Sequence, residues 1–231
     1  MNDLDLSVAL ATAPSSAFAE LRERPRFWFP LLLVVLSSAG LIFWYYSIVD
    51  IDWYKQAVLA ITPDFQSLND DERAVAMSMM TAKTLKWGSA AGLILFMLLV
   101  YLAQALLLWL AARVTKLPQG FKHWFTLVCW SSLPVLLGTV VASILLFLSD
   151  TPQIALGVLQ PLSLNELLFH VSPESGAYSL VSSISIPAIL GWALMIIGVR
   201  VWSQRAWAFS AAFILVLVVI VYAIWAFTSF R

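Results

Sequence analysis

The chain has 231 residues, of which 61% are hydrophobic and 11% are charged, and its formal net charge is zero. Soluble domains carry roughly a quarter charged residues, so this composition excludes an ordinary soluble domain and indicates a chain solvated mainly by lipid. The one cysteine, Cys129, has no disulfide partner within the chain, and the two histidines show no zinc-ligand spacing. We therefore expect no disulfide, no metal, no cofactor and no nucleic-acid partner.

The first 26 residues are predicted to form a cytoplasmic tail. Residues 1–13 contain few apolar residues, interrupted by two aspartates, which indicates disorder and does not match a secretory signal peptide. We therefore expect the first span to be retained as an anchor. A short helix is predicted to begin at Pro14, with Ser15 or Ser16 as its N-cap. Its small apolar face leaves two interpretations open, a solvated linker or an interfacial helix on the cytoplasmic leaflet.

Five apolar segments follow, each long enough to cross a bilayer, which requires about 20 residues. They lie at about residues 27–49, 87–112, 124–149, 178–199 and 208–230. Aromatic residues at both ends of the first segment match the two interfaces of a bilayer. The sequence therefore predicts an all-α polytopic membrane protein, with one five-span transmembrane domain over residues 27–230.

Two longer connections, 50–86 and 150–177, join the spans on the outer side of the predicted topology. The first is acidic, and after Asn69 it places acids first and lysines last, an order that suits a helix dipole. We expect a helix there and leave open whether it continues unbroken into the second span. In the second connection, Ser163 and Glu166 have the spacing of a capping box that opens a short helix.

Charge indicates the orientation of the five spans. With a cytoplasmic amino terminus, the inner segments hold eight bases and four acids, and the outer segments hold five bases and nine acids. The excess of bases inside satisfies the positive-inside rule, so the carboxyl terminus is predicted to lie outside. The inner bases are Arg22, Arg24, Arg26, Arg113, Lys116, Lys122, Arg200 and Arg205.

The predicted orientation can be tested with a cysteine in the connection between spans four and five. We expect a membrane-impermeant maleimide to label a Ser203→Cys variant in inside-out vesicles and to leave it unlabelled in intact cells. The native chain, whose one cysteine lies inside a predicted span, supplies the background. Labelling of the variant from outside the cell would reverse the topology.

The eight inner bases are candidate contacts for anionic lipid headgroups. Each Lys or Arg near an anionic leaflet contributes roughly 1 kcal/mol to lipid attraction. The alternative is that these bases only set the topology. The expected partners are therefore membrane lipids, anionic ones above all, while protein partners and the oligomeric state are left open.

The predicted spans contain no Asp, Glu, Lys, Arg or His. Because proton relays and intramembrane proteases use such groups, we expect a protein that is not an enzyme. The most polar side chain within a span is Gln104, which either bonds a neighbouring helix or lines a polar path. Pro134 and Pro187 lie inside spans three and four and are predicted to kink them.

Three stretches resemble the bacterial Yip-domain family. Residues 17–36, AFAELRERPRFWFPLLLVVL, are similar to the opening of that family, a short helix and a proline before the first span. Residues 124–138, WFTLVCWSSLPVLLG, are similar to its third span, with the Leu-Pro pair at 133–134. Residues 186–222 resemble its last two spans and the tight basic turn between them. The resemblance covers most of residues 17–229.

The resemblance implies a non-enzymatic protein with five spans in a bacterial inner membrane, which organises protein partners or lipids. Eukaryotic relatives of the family bind Rab-type GTPases through an acidic-aromatic amino-terminal region. The short tail of this chain does not match that region, so GTPase binding is not expected to carry over. The alternative function is that of a transporter, channel or lipid scramblase that uses the proline-kinked spans three and four.

Overall fold

The computed structural model describes residues 1–61, 65 and 67–229 of the chain. Among these residues the regular structure is helical, apart from one isolated bridge between Ser163 and Ser185. In chain order the α-helices are α1 (Asp3–Thr12), α2 (Pro14–Glu23), α3 (Trp28–Ile48), α4 (Ile51–Ile61), α5 (Asp70–Met79), α6 (Ala82–Val114), α7 (Phe121–Ser131), α8 (Val135–Phe147), α9 (Tyr178–Ser183), α10 (Ile186–Ser203) and α11 (Trp207–Ser229).

Five helical segments of the described chain are long and apolar enough to cross a membrane. They are Trp28–Ile48, Ala82–Val114, Phe121–Phe147, Ile186–Ser203 and Trp207–Phe227. The prediction of an all-α membrane protein with five spans is confirmed. Helix α6 has 33 residues and is about 50 Å long at a rise of 1.5 Å per residue. It therefore extends beyond a hydrocarbon core about 30 Å thick.

The helices pack as a bundle around two hydrophobic clusters. Helix α3 lies along α6, α6 along α7, and α10 along α11, while α8 packs against α3 and α10. The larger cluster is built mainly from α2, α6 and α7, with Trp124 and Trp130 fully buried at its centre. The smaller cluster lies where α3 ends and includes Tyr45, Tyr46 and Tyr54. The bundle thus has a packed core at each end of the first span.

The amino-terminal residues form two helices that pack on the bundle, so the prediction of disorder for residues 1–13 is wrong. Asn2 caps α1, because its side-chain oxygen accepts a hydrogen bond from the Asp5 N–H at 2.7 Å. Leu6 and Leu10, one turn apart, are buried in the larger cluster. The tertiary partner of this apolar pair, which the local sequence does not reveal, makes the helix stable.

Helix α2 begins at Pro14 as predicted, but neither serine is its N-cap. The N-cap is Ala13, which makes no side-chain hydrogen bond, and Ser16 instead donates to the Ala13 carbonyl at 2.7 Å. Phe18 and Leu21 are fully buried, and α2 packs mainly against α10. Its apolar face therefore contacts protein.

The third span is broken at Pro134, where the sequence predicts a kink. Helix α7 ends at Ser131 and α8 begins at Val135. In the break, backbone hydrogen bonds join residues three positions apart, as in a 3-10 helix. One of them runs from the Val135 N–H to the Ser132 carbonyl at 2.9 Å. The Ser132 hydroxyl donates to the Cys129 carbonyl at 2.8 Å, the kind of compensation expected of a serine near a proline.

The fourth span is shorter than predicted, and Pro187 lies in its first turn, so the prediction of a mid-span kink there is wrong. Residues 178–183 form the separate helix α9, and α10 begins at Ile186. The Ile186 N–H donates to the Leu162 carbonyl at 3.0 Å, an inter-segment bond that replaces helical bonding. Ser185 then caps α10 by accepting from the Ala188 N–H at 3.2 Å. A proline in a first turn removes no helical hydrogen bond.

The two longer connections contain the predicted helix starts. Asn69 caps α5 through a capping box with Glu72, but α5 ends at Met79 and does not continue into α6. Thr81 interrupts the helix because its hydroxyl accepts from the Thr84 N–H at 3.1 Å and caps α6. Part of the connection 50–86 and the last residue of the predicted fifth span lie outside the described residues.

Only half of the predicted capping box in the second connection forms, because the Ser163 N–H donates to the Gln160 carbonyl and not to Glu166, and the segment makes a single π turn. The Ser163 hydroxyl accepts from the Glu166 N–H at 3.2 Å, and the turn itself covers Asn165–Phe169. It ends at His170, whose φ of 50° lies in the left-handed region. The segment is thus much shorter than an ordinary helix.

Candidate functional site

Indole and amide donors hold several segments together at one end of the bundle. The Trp202 indole N–H in α10 donates to the Phe18 carbonyl in α2 at 2.7 Å. The Gln119 amide donates to the Trp202 carbonyl at 3.1 Å, and the Trp124 indole donates to the Gln119 carbonyl at 3.2 Å. These buried bonds join α2, α7 and α10 to the connection between α6 and α7.

Further bonds bring the segments with the inner bases to this same end. The Trp130 indole N–H donates to the Arg26 carbonyl at 2.6 Å. The His123 ring nitrogen Nε2 lies 3.2 Å from the Arg22 carbonyl oxygen. The Arg205 guanidinium donates to the Thr115 carbonyl at 2.9 Å. We call this end of the bundle, with its eight predicted inner bases, the basic end.

Two bases of the basic end are paired with acids. Arg22 lies 3.3 Å from Glu23, and Arg26 lies 3.2 Å from Asp3. In the described part of the chain, the other six bases have no acid within 4 Å. These six unpaired bases are Arg24, Arg113, Lys116, Lys122, Arg200 and Arg205. Their charges are available to a partner outside the chain.

Aromatic rings support three of the unpaired arginines. The Arg113 guanidinium lies 5.0 Å from the ring centre of Trp109, and Arg205 lies 4.5 Å from that of Phe209. Arg200 lies 5.9 Å from the ring centre of Trp207. Guanidinium groups stack on aromatic faces without losing their outer N–H donors. The rings therefore orient the arginines while leaving donors for a ligand.

Lys116 stands at the end of α6 in a conformation that usually belongs to glycine. Its φ is 57°, and the Leu117 N–H donates to the Ala112 carbonyl at 2.8 Å, which together form a Schellman motif. A side chain other than glycine in this region adds about 1 kcal/mol of strain. The backbone geometry alone would favour glycine, so the fold does not need a lysine here.

A second candidate site is a cavity of about 300 Å³ between α6, α10 and α11, beside the break in the third span. We call it the polar cavity. Both Gln104 and Pro187, two of the residues singled out in the sequence, line it. Pro134 does not line it but creates the break that places Ser131 and Ser132 in its wall.

Sequence analysis missed one polar group of this cavity. The Tyr101 hydroxyl is buried beside that of Ser132, and the Ser131 hydroxyl is buried without a hydrogen-bond partner among the described residues. Tyr101 lies one turn before Gln104 on α6, and its position in an apolar run resembles that of any packing tyrosine. Only the packing of α6 against the broken span shows that Tyr101 and Ser131 line the same cavity.

A wider pocket of about 700 Å³ lies at the opposite end of the bundle. Glu166, His170 and Tyr54 line it, but none of the predicted site residues does. Burial and a hydrogen bond with Tyr46 raise the pKa of Tyr54, so this phenol stays neutral. Within residues 1–61, 65 and 67–229, no three His, Cys, Asp or Glu side chains lie close enough to hold a metal ion.

Comparison with known proteins agrees with the architecture. Residues 8–227 match the family model of the Yip1 domain. A similar protein is the membrane protein YknW of Bacillus subtilis (strain 168), which is 27% identical over 191 residues, or 82% of this chain and 74% of the relative. No solved structure matches the chain. Since the family model covers most of the five-span bundle, the chain belongs to the Yip1 domain family.

Proposed function

We propose that this protein binds anionic lipid headgroups at the basic end and so organises lipids in a bacterial inner membrane, without catalysing a reaction. The observation that carries the proposal is the set of six bases with no acid within 4 Å among the described residues. A protein partner is a less direct explanation of these unpaired bases, because the nearest counter-charge available to exposed cations at a membrane surface is lipid phosphate.

The clustering of the bases supports attraction to a charged leaflet. Arg113 at the end of α6, Lys116 in the connection that follows and Lys122 at the start of α7 are exposed, and Arg205 is bonded to that connection through Thr115. Salt screens a lone exposed charge within about 8 Å at physiological ionic strength. Several bases at the basic end each add roughly 1 kcal/mol near an anionic leaflet. Together they favour retention of anionic lipid over neutral lipid.

Exposed aromatic residues support a position of the basic end at the level of the lipid headgroups. Trp28, Phe121 and Trp207 each lie within one residue of a helix start at this end, and all three are exposed. Tryptophan and other aromatic rings favour the headgroup level of a bilayer. The neighbouring bases then stand at the height of lipid phosphates, where arginine can bind phosphate with two parallel hydrogen bonds.

Native mass spectrometry in mixed lipid tests the proposal. The variant Arg113→Gln/Lys116→Gln/Lys122→Gln should retain phosphatidylglycerol and cardiolipin several-fold less well than the native chain, because three contributions of about 1 kcal/mol are lost. Phosphatidylethanolamine retention should not change. The Ser203→Cys label provides a check that the variant keeps its topology.

A matched control removes three bases from the opposite end of the bundle. Lys83 and Lys86 lie at the start of α6, about 40 to 45 Å from Arg113 along the helix, and Lys55 lies on α4. The variant Lys55→Gln/Lys83→Gln/Lys86→Gln should retain anionic lipid like the native chain. If both variants lose the same amount of anionic lipid, or if neither loses any, the predicted inner bases serve only as topology signals.

The polar cavity favours a second candidate function, transport or lipid scrambling through the proline-broken span. Reconstitution in liposomes of phosphatidylethanolamine and phosphatidylglycerol separates the two candidates. We expect ion leakage and the flip rate of a fluorescent lipid to equal those of protein-free liposomes, because no charged residue lines the cavity. Faster flux or flipping that depends on the protein would support the second candidate.

A further inference from the structure

The end of the bundle opposite the basic end encloses a pocket that headgroup binding leaves unused. We call this pocket of about 700 Å³ the wide pocket. Apart from Tyr45, every described residue that lines it lies outside the five candidate spans. A charged ligand can therefore reach it from water without entering the hydrocarbon core. The volume lies within the usual range for sites that bind small molecules.

Two short turns hold Glu166 at the wide pocket. Glu166 lies in the π turn Asn165–Phe169, and the buried Asn165 side chain closes that turn by accepting from the Val171 N–H at 2.8 Å. The Glu166 carboxylate lies against Gly157 in a 3-10 turn, where a Cβ would come within 2.5 Å of Oε1. Glycine therefore leaves room for the carboxylate, and the local fold sets where the negative charge stands.

This carboxylate has no partner among the residues that the structure describes. No Lys, Arg or His nitrogen lies within 4 Å of it there. Glu166 forms hydrogen bonds only through its backbone, as in the bond from its N–H to the Ser163 hydroxyl at 3.2 Å. The residue is half-buried, and its carboxylate oxygens remain accessible. An accessible, unpaired carboxylate favours a cation that donates hydrogen bonds to it.

Aromatic side chains form part of the pocket wall. They belong to Tyr45, Trp53, Tyr54 and Tyr178. The Tyr45 hydroxyl donates to the Ile154 carbonyl at 2.7 Å, and the Tyr54 and Tyr46 hydroxyls lie 2.9 Å apart. These bonds fix the buried tyrosine rings before a ligand binds. The faces of tyrosine and tryptophan rings attract cations and also contact apolar groups.

The charges of the lining disfavour an anion. Of the described residues that line the wide pocket, Glu166 is the one that belongs to the Asp, Glu, Lys and Arg types. A phosphate or carboxylate on the ligand would therefore meet a like charge and find no lysine or arginine. His170 also lines the pocket, and a neutral imidazole nitrogen can accept a hydrogen bond. These groups fit a ligand with one positive charge and no negative charge.

We propose that the wide pocket binds a small organic cation that carries a primary ammonium group on an apolar body. The ammonium donates hydrogen bonds to the Glu166 carboxylate, and the apolar body lies against the aromatic wall. Charge, hydrogen-bond donors and apolar surface of such a molecule each match a feature of the pocket. The site lies at the other end of the bundle from the basic end and does not rest on the proposed headgroup binding.

Equilibrium dialysis tests the proposal with the full chain in dodecylmaltoside micelles, which carry no ammonium group, and empty micelles give the background. The probes are 2-phenylethylammonium and its neutral analogue 2-phenylethanol. We expect the native chain to bind the ammonium about ten-fold more tightly than the alcohol, because a charge-assisted hydrogen bond is gained. The variant Glu166→Gln should bind the ammonium about ten-fold less tightly than the native chain does and the alcohol equally well.

Two further variants separate this site from general attraction to an acidic surface. Gly157→Ala keeps every charge but displaces the Glu166 carboxylate, so it should weaken binding of the ammonium several-fold and leave binding of the alcohol unchanged. Glu174→Gln removes an exposed acid of the same connection that does not line the wide pocket, and it should bind both probes like the native chain. Equal losses in Glu166→Gln and Glu174→Gln, or a native chain that binds both probes equally, would overturn the proposal.

Discussion

Gly191→Ala should lower the free energy of unfolding by about 1–3 kcal/mol, the usual effect of overpacking a close contact. A Cβ at this position would lie 2.9 Å from the Ser131 carbonyl oxygen. That oxygen is a backbone atom of the broken span and cannot rotate away, so α10 and α7 must separate. Equilibrium unfolding in mixed detergent micelles measures the change.

Gly40→Ala is the matched control for this prediction. Gly40 lies within α3, and a Cβ there would meet nothing within 4 Å. Because alanine favours helix over glycine, this variant should be as stable as the native chain or more stable by up to about 1 kcal/mol. If Gly191→Ala were equally stable, the close approach of α10 to the break would not be a requirement of the fold.

Phe18→Ala should destabilise the protein by about 3–5 kcal/mol, the range for removing a buried aromatic side chain. Phe18 is fully buried, and its ring packs edge-on against Trp202 with 6.3 Å between ring centres. The same ring lies 3.2 Å from the position of a Cβ on Gly198. Phe18 is thus a large buried contact between α2 and α10, beside the Trp202 bond to its carbonyl.

Loss of the Phe18 contact should also release α1 and α2 from the bundle. Limited proteolysis should then cleave the variant near Ala13, between the two helices, at a protease concentration that leaves the native chain intact. Leu4→Ala is the control, because Leu4 is 68% exposed on α1 and its replacement should change neither stability nor cleavage. Native-like resistance of Phe18→Ala would mean that α2 is held by its backbone bonds instead.

Undocking of α2 has a functional consequence that follows from its position. Arg22, Arg24 and Arg26 lie at its end, and Trp130 binds the Arg26 carbonyl at 2.6 Å. If these bases contribute to headgroup binding, Phe18→Ala should weaken retention of anionic lipid as well as stability.

Local sequence patterns were sufficient where local hydrogen bonds decide the structure. The helix start after Asn69 and the bond between Ser163 and Glu166 follow from residue types a few positions apart, and both are present. The break at Pro134 follows from a missing N–H. The prediction of a mid-span kink at Pro187 was wrong because backbone hydrogen bonds pair residues 162–164 with residues 184–186, which are not close in the chain. This strand-like pairing moves the start of α10.

The sequence by itself determined that this chain spans a membrane five times, because long apolar runs have no stable alternative to helices in lipid. It also located the eight bases that are predicted to lie on the inner side, since their positions relative to the spans require only counting. The tertiary structure alone decided that α1 folds, that six bases at one end have no acid within 4 Å among the described residues, and that Tyr101 and Ser131 line one cavity. The physical reason is that apolar burial, charge pairing and hydroxyl bonding depend on partners from other helices, which no local pattern specifies.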